Sequence, residues 1–178
     1  MNPHGFENIL EIHGQMKIAL LAFLCVYCTA SFADLELPTA ESVLVDKSER
    51  KMWLLHNGIR YREYSISLGG DPLGHKQQEG DQKTPEGHYT IDYRNPNSSY
   101  HLSLHISYPN AQDRARARSA GVSPGGDIFI HGLPNGMSAL DFGFQKLDWT
   151  DGCIALTSQE IEEIWSLVDN GTPIEIIP

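Results

Sequence analysis

Cysteine is scarce. The chain has 3, and Cys25 and Cys28 lie in an apolar stretch near the N-terminus, so Cys153 stands alone in the remainder. A lone thiol closes no intrachain disulfide and builds no cysteine-paired zinc site. Positive charge is also scarce: 13 Lys and Arg against 23 Asp and Glu, a net charge of −10. Polyphosphate binding needs a basic face, so no nucleic-acid partner is expected. The one basic cluster, Arg114, Arg116 and Arg118, reads as a solvated helix face. The Gly-x-Ser-x-Gly elbow of serine hydrolases and the His-Glu-x-x-His of zinc proteases are missing. His101 and His105 sit four apart on a segment that alternates like a strand, where that spacing spans roughly 13 Å. One zinc with bonds near about 2 Å cannot join them. No metal and no cofactor are expected.

What is present begins with an address. From Met16 the chain reads Lys17, then an apolar run from Ile18 to Tyr27, then Ser31-Phe32-Ala33. This is the pattern of a secretory signal peptide, and the run is too short to span a bilayer comfortably. Residues 16–33 are therefore expected to be a signal peptide. Met1–Gln15, acidic and without Lys or Arg, reads as an upstream extension before the true start. Residues 34–178 are expected to form one domain, exported to the periplasm or cell envelope, with no stable membrane span after cleavage. A single cysteine in such a compartment risks oxidation or wrong pairing and calls for an explanation.

The organisation is strand-rich. Ser42 to Gly69 reads as a three-strand meander, with a turn at Lys47-Ser48-Glu49 and a hairpin at Asn57-Gly58, residues that tolerate positive φ. A long polar loop, Gly69 to Gly87, precedes the strand "HYTID". In "YHLSLHISY", Leu102, Leu104 and Ile106 point one way and His101, Ser103, His105 and Ser107 the other. "GDIFIHG" and "GCIAL" read as short strands. Thr157 and Glu160 form a capping box ahead of a helix striped by Ile161, Ile164, Trp165 and Val168 and closed by Gly171. "TPIEIIP" is a last strand. The fold class is mostly β, sandwich- or barrel-like, with one or two helices.

Cysteine with histidine is the remaining chemistry. His131 ends one strand, Gly132 follows it, and Cys153 opens the next strand after Thr150-Asp151-Gly152. Strand ends are where side chains from neighbouring segments converge. A free thiol is mostly protonated at neutral pH, and an imidazole can take its proton and return it to a leaving amine. Gly152 lets backbone N–H groups approach a substrate carbonyl as an oxyanion hole requires. On spacing alone, a small buried cysteine beside an unrelated histidine reads equally well.

The segments "QKTPEGHYTI", "ISYPN", "PGGDIFIHG" and "TDGCIAL" together resemble the YkuD-type L,D-transpeptidase catalytic domains, in the branch related to ErfK/YafK proteins. The resemblance runs from about Val43 to the C-terminus. It implies a β-rich catalytic fold, Cys153 as nucleophile, His131 as its base, the Gly132 backbone carbonyl orienting that histidine, and an oxyanion hole around Gly152 and Cys153. It implies peptidoglycan stem peptides as partners: attack on the L-to-D bond of a tetrapeptide, release of D-alanine, a thioester, and transfer to an amine. Two positions depart from the pattern. Asp151 stands where many members have His, and Ala155 where many have Arg or Asn. They leave the acceptor open, so an L,D-carboxypeptidase or peptidoglycan amidase on the same fold is the rival reading. A catalytically silent wall-binding module is the rival from another class. Tyr108 and Asp151 are candidate substrate contacts, Trp149 is read as a core residue, Lys83 as part of a turn rather than catalytic, and the Gly69–Gly87 loop as a lid.

Overall fold

The computed structural model describes residues 36–137 and 147–178. The N-terminal segments expected to be an extension and a signal peptide lie outside the described residues. The compact unit runs from Leu37 to Pro178, and among its described residues there are eight strands and two helices: β1 (Ser42–Asp46), β2 (Lys51–His56), β3 (Ile59–Ser65), β4 (Gly87–Ser98), β5 (His101–Ile106), α1 (Ala111–Ala120), β6 (Phe129–His131), β7 (Ile154–Ala155), α2 (Ser158–Leu167) and β8 (Pro173–Ile177).

The meander forms as expected. At the β2–β3 turn Asn57 and Gly58 both adopt positive φ, 51° and 72°, the geometry that matches the twist of a two-residue hairpin. The strands line up in the order β3-β2-β1-β8-β4-β5-β6-β7. β4 does double duty. Gly87–Thr90 pairs antiparallel with β8, while the stretch from Ile91 onward pairs with β5. Register shifts after Ile91 and Asn95 mark the bends that bulges impose. Beyond β3 the chain crosses to the far edge, where Ser67 bridges Ala155 and Gly69 bridges Thr150. The sheet thus returns on itself, the sandwich- or barrel-like class expected.

The core lies between the layers. Met52, Leu54, Ile66, Leu104, Ile130 and Ile154 are among its fully buried side chains. α2 packs against β5 and β6 through Ile161, Ile164 and Leu167, and burying such a side chain is worth about 1.5–3 kcal/mol. Its Thr157/Glu160 capping box is present. The helix stops earlier than its apolar stripe suggests: Val168 leaves helical geometry, and Gly171 donates its N–H to the Ile91 carbonyl (2.7 Å) instead of capping the helix. α1 carries the arginines. Arg114 bonds the Pro109 carbonyl and Arg116 bonds Asp113, so the face expected to be merely solvated is partly tied down. Asp113 is buried and also accepts from Tyr89 (3.1 Å) and the Asn110 N–H (2.9 Å).

Candidate active site

The short strands β6 and β7 place the chemistry. They pair in parallel, with Ile130 opposite Ile154 and His131 opposite Ala155. Across β6, His131 faces Ser103 and Phe129 faces His105 on β5; β4 then adds Asn95 beside Ser103 and Tyr93 beside His105. Side chains alternate along each strand. Ile130 and Ile154 therefore enter the core, while Phe129, His131, Cys153 and Ala155 share the opposite face. There a cleft of about 380 Å³ opens, lined by Asn95, Asn97, Ser98, Ser99, Tyr100, Ser103, Asp127, Phe129, His131, Trp149, Thr150, Asp151 and Cys153. Ala155, opposite His131, presents only a methyl.

The turn before Cys153 is fixed by Thr150, itself 5% exposed. Its Oγ1 donates to the Cys153 carbonyl (2.7 Å) and accepts the Gly152 N–H (3.1 Å). Its backbone exchanges bonds with the segment after β3: the Thr150 N–H donates to the Leu68 carbonyl (3.1 Å) and the Gly70 N–H to the Thr150 carbonyl (3.0 Å). Gly152 has φ +124°, and a Cβ there would lie 2.5 Å from the Lys83 carbonyl oxygen, so the position is closed to any side chain. Just upstream in the chain, Asp148 takes a two-pronged bond from Arg50 and the Leu68 N–H (3.0 Å).

Cys153 is half-buried. Its Sγ accepts the Phe129 N–H (3.4 Å) and donates to the Asp127 carbonyl (3.6 Å). Asp127 holds that carbonyl in place with a left-handed backbone, φ 55°. Burial pushes the thiol up to about 11; the Phe129 N–H opposes this, and the carboxylates of Asp151 and Asp127 add to it.

His131 is 4% exposed. Its Nδ1 bonds the Gly132 carbonyl at 2.7 Å. A carbonyl only accepts, so Nδ1 carries the proton and Nε2 keeps its lone pair, the tautomer a general base needs. Gly132 is clamped in turn. Its N–H donates to the carbonyls of Tyr100 (3.1 Å) and Leu102 (3.3 Å), and a Cβ would meet Ile161 Cγ2 at 2.9 Å. Burial draws the imidazole below the usual histidine range, against the Gly132 bond. The resting pair is thus a protonated thiol and a neutral imidazole.

The candidate substrate contacts separate. Asp151 lies on the cleft rim, where Gln82 Nε2 donates to it at 3.4 Å. Tyr108 is not brought to the cleft: it is buried, its hydroxyl donates to the Pro124 carbonyl (2.9 Å), and its ring packs edge-on to Tyr89 and His75. Trp149, expected in the core, is half-buried and lines the cleft, its ring 5.7 Å from that of His131. The Gly69–Gly87 loop does not line the cleft either. Lys76 bonds Asp81 at 2.7 Å, Lys83 bonds Asp71 at 2.7 Å, and the buried Lys47 reaches the carbonyls of Gly74 (2.7 Å) and Thr84 (3.0 Å) and the carboxylate of Glu86 (2.7 Å). So pinned, the loop buttresses the Gly152 turn from behind and is no free lid. His101 and His105 diverge to separate acids, Glu162 and Asp92, and among the described residues no group of His, Cys, Asp and Glu is arranged to hold a metal. Sequence reasoning misses the β4–β5 hairpin wall and Asp127. The run Asn95-Pro96-Asn97-Ser98-Ser99 is the available signal for the wall: its letters are those of a polar turn, although it forms the end of β4.

Known proteins resemble this chain in sequence and in fold. The model of the YkuD family, the L,D-transpeptidase catalytic domain, matches residues 40–176. The chain is 33% identical over 132 residues to the Escherichia coli K12 protein named "Putative L,D-transpeptidase YafK", covering 71% of this chain and 46% of YafK; it therefore spans about half the length of that relative. Among solved structures it resembles the helical cell shape determining protein Pgp2 of Campylobacter jejuni (TM-score 0.58, 28% identity, 75% of this chain and 46% of that one). It also resembles Bd1075 of Bdellovibrio bacteriovorus (TM-score 0.53, 25% identity, 78% and 48%). An L,D-transpeptidase of Mycobacterium smegmatis shares the fold at 13% identity and a TM-score of 0.51, over 76% of this chain and 58% of that one. The chain belongs to the YkuD family of L,D-transpeptidase catalytic domains.

Proposed function

We propose that the protein is an exported, cysteine-dependent L,D-transpeptidase acting on peptidoglycan stem peptides in the bacterial envelope. The observation that carries this is the cleft in which Cys153, on its Gly152 turn, and His131, with Nδ1 held by Gly132, share one face of the β6–β7 pair. His131 Nε2 takes the Cys153 proton, and Sγ attacks the carbonyl carbon of the L-to-D bond. The Cys153 N–H is the oxyanion donor; the Gly152 N–H joins it by leaving Thr150 Oγ1, its resting partner. As the tetrahedral adduct collapses, the imidazolium returns the proton to the departing amine of D-alanine and a thioester remains. An acceptor amine then attacks, gives its proton to His131, and Cys153 leaves as a thiol. The sequence of steps needs no metal or cofactor. The signal-like segment at residues 16–33 supports export, and the likeness to a cell shape determining protein supports a role in shaping the wall.

One observation favours a second reading. The loop expected to exclude water contributes no residue to the cleft lining, and Lys47, just after β1, ties it down through Gly74, Thr84 and Glu86, which favours water as acceptor and an L,D-carboxypeptidase outcome. Purified protein incubated with a tetrapeptide muropeptide, with and without a D-amino acid, decides by mass spectrometry. A thioester adduct on Cys153 and an exchanged product support transfer. Tripeptide alone at an unchanged rate supports hydrolysis, and no adduct and no product would sink both.

A further inference from the structure

The tip of the β4–β5 hairpin reaches over the imidazole. The Tyr100 ring lies 4.5 Å from that of His131, tilted by 40°, and 6.1 Å from Trp149. Tyr100 is 39% exposed, so it fills no core space that would by itself account for its place. The tip is fastened from the loop after β6, and Asn135 makes the fastening. Its backbone N–H donates to the Ser99 carbonyl (2.9 Å) and its Nδ2 to the Ser98 carbonyl (3.0 Å), while its Oδ1 accepts the His101 N–H (2.9 Å). The Tyr100 carbonyl in turn takes the N–H of Gly132, the residue whose own carbonyl orients His131. Hairpin tip, Gly132 and imidazole are one connected unit.

We propose that Asn135 and Tyr100 are positioning residues for His131, Asn135 locking the hairpin tip so that the Tyr100 ring shields one side of the imidazole from water. The proposal rests on the reading of His131 as the base, and its kinetic consequence on the reaction above. Shielding keeps the ring neutral into mildly acidic conditions. Trp149 covers another side of the ring at 5.7 Å, and the titratable and polar groups facing His131 do not shield it, the protonated Cys153 thiol in the same cleft included. Asp127 and Asp151, in the same cleft, would favour the imidazolium; Ser103 and Asn95 are neutral; His101, behind Gly132, is paired with Glu162 of α2.

The test is an NMR titration of His131, which needs no turnover. In the parent protein its midpoint should lie below 6.5. In Tyr100→Ala and Asn135→Ala it should rise towards the ordinary imidazole value. Tyr100→Phe should keep the parent value. Tyr100 is partly exposed, so the Tyr100→Ala and Tyr100→Phe pair decides even if Asn135→Ala unfolds. In acylation by a tetrapeptide donor, Tyr100→Ala should lose a large part of its rate at pH 5.5 relative to pH 8, because a raised midpoint leaves less neutral imidazole there. Wild type should lose much less over the same interval. An unchanged His131 midpoint in folded Tyr100→Ala overturns the proposal. Absence of acylation in the wild type would overturn the reaction instead, and the titration would still decide the clamp.

Discussion

The resting thiol should be slow towards simple electrophiles, and the structure sets how slow. Burial and two nearby carboxylates hold Cys153 at about 11, while a free cysteine sits near about 8.5. At pH 7.5 the thiolate fraction is then roughly 3 × 10⁻⁴ against about 10⁻¹ for the free amino acid, a deficit of roughly 300-fold. A more basic thiolate is a better nucleophile, and a Brønsted slope of about 0.4–0.5 over that difference returns roughly 10- to 20-fold. Alkylation by iodoacetamide should therefore run roughly 20-fold slower than for free cysteine and keep rising through pH 9. The assay is pseudo-first-order labelling followed by intact mass, from pH 6 to pH 10. A rate at or above that of free cysteine, flat between pH 6 and 9, would show a standing thiolate–imidazolium pair and refute the resting state described here.

Other expectations follow from the same geometry. Cys153→Ala should abolish acylation while costing under about 1–2 kcal/mol of stability, because the side chain is small and half-buried. His131→Ala should be nearly as damaging, with the double variant little worse, since nucleophile and base act as a unit; acyl-adduct formation by intact mass reads all three, and additive losses would separate the residues. Gly152→Ala should lose acylation and about 2–4 kcal/mol in denaturant unfolding, the combined cost of a left-handed alanine and a Cβ 2.5 Å from the Lys83 carbonyl oxygen. Wild-type stability and acylation in Gly152→Ala would show that the turn can shift freely. Burial alone would raise the Asp81 carboxyl, but Lys76 and the N–H groups of Gln77, Gln78 and Lys83 outweigh it and bring it to about 2. Its folded value lies below the unfolded one, near about 3.9, so its stabilisation is full above that pH and fades as pH falls towards 2. Asp81→Asn should flatten the acid limb of unfolding free energy over that interval; an unchanged limb would remove Asp81 as its source.

Local chemistry makes much of this protein legible in its sequence. Asn57-Gly58 dictates a hairpin because both residues accept positive φ. Thr157 with Glu160 starts α2 because each side chain caps the other's backbone. Alternation along His101–Ser107 fixes which side chains share a face, and the pairing of a lone cysteine with a histidine at strand ends marks the candidate site. These signals act over a few residues and are written in neighbouring letters. Register is not. Only the folded sheet sets Ser103 and Ala155 on either side of His131 and brings Asn95 in from β4, because pairing joins positions dozens of residues apart. The same holds for what covers the site. The Gly69–Gly87 loop has the composition of a lid, yet the buried Lys47 ties it down through Glu86 and the carbonyls of Gly74 and Thr84. Tyr108 precedes a proline and reads either as a cleft residue or as a strand-end packing residue; only the fold decides for packing, with its hydroxyl satisfied inside. The run Asn95–Ser99 has the letters of a plain connection, yet it carries β4 on to Ser98, and tertiary bonds through Asn135 fasten the tip beyond it into a wall. Residue types declare which groups can react; long-range hydrogen bonding and burial decide which of them meet, and in which protonation state.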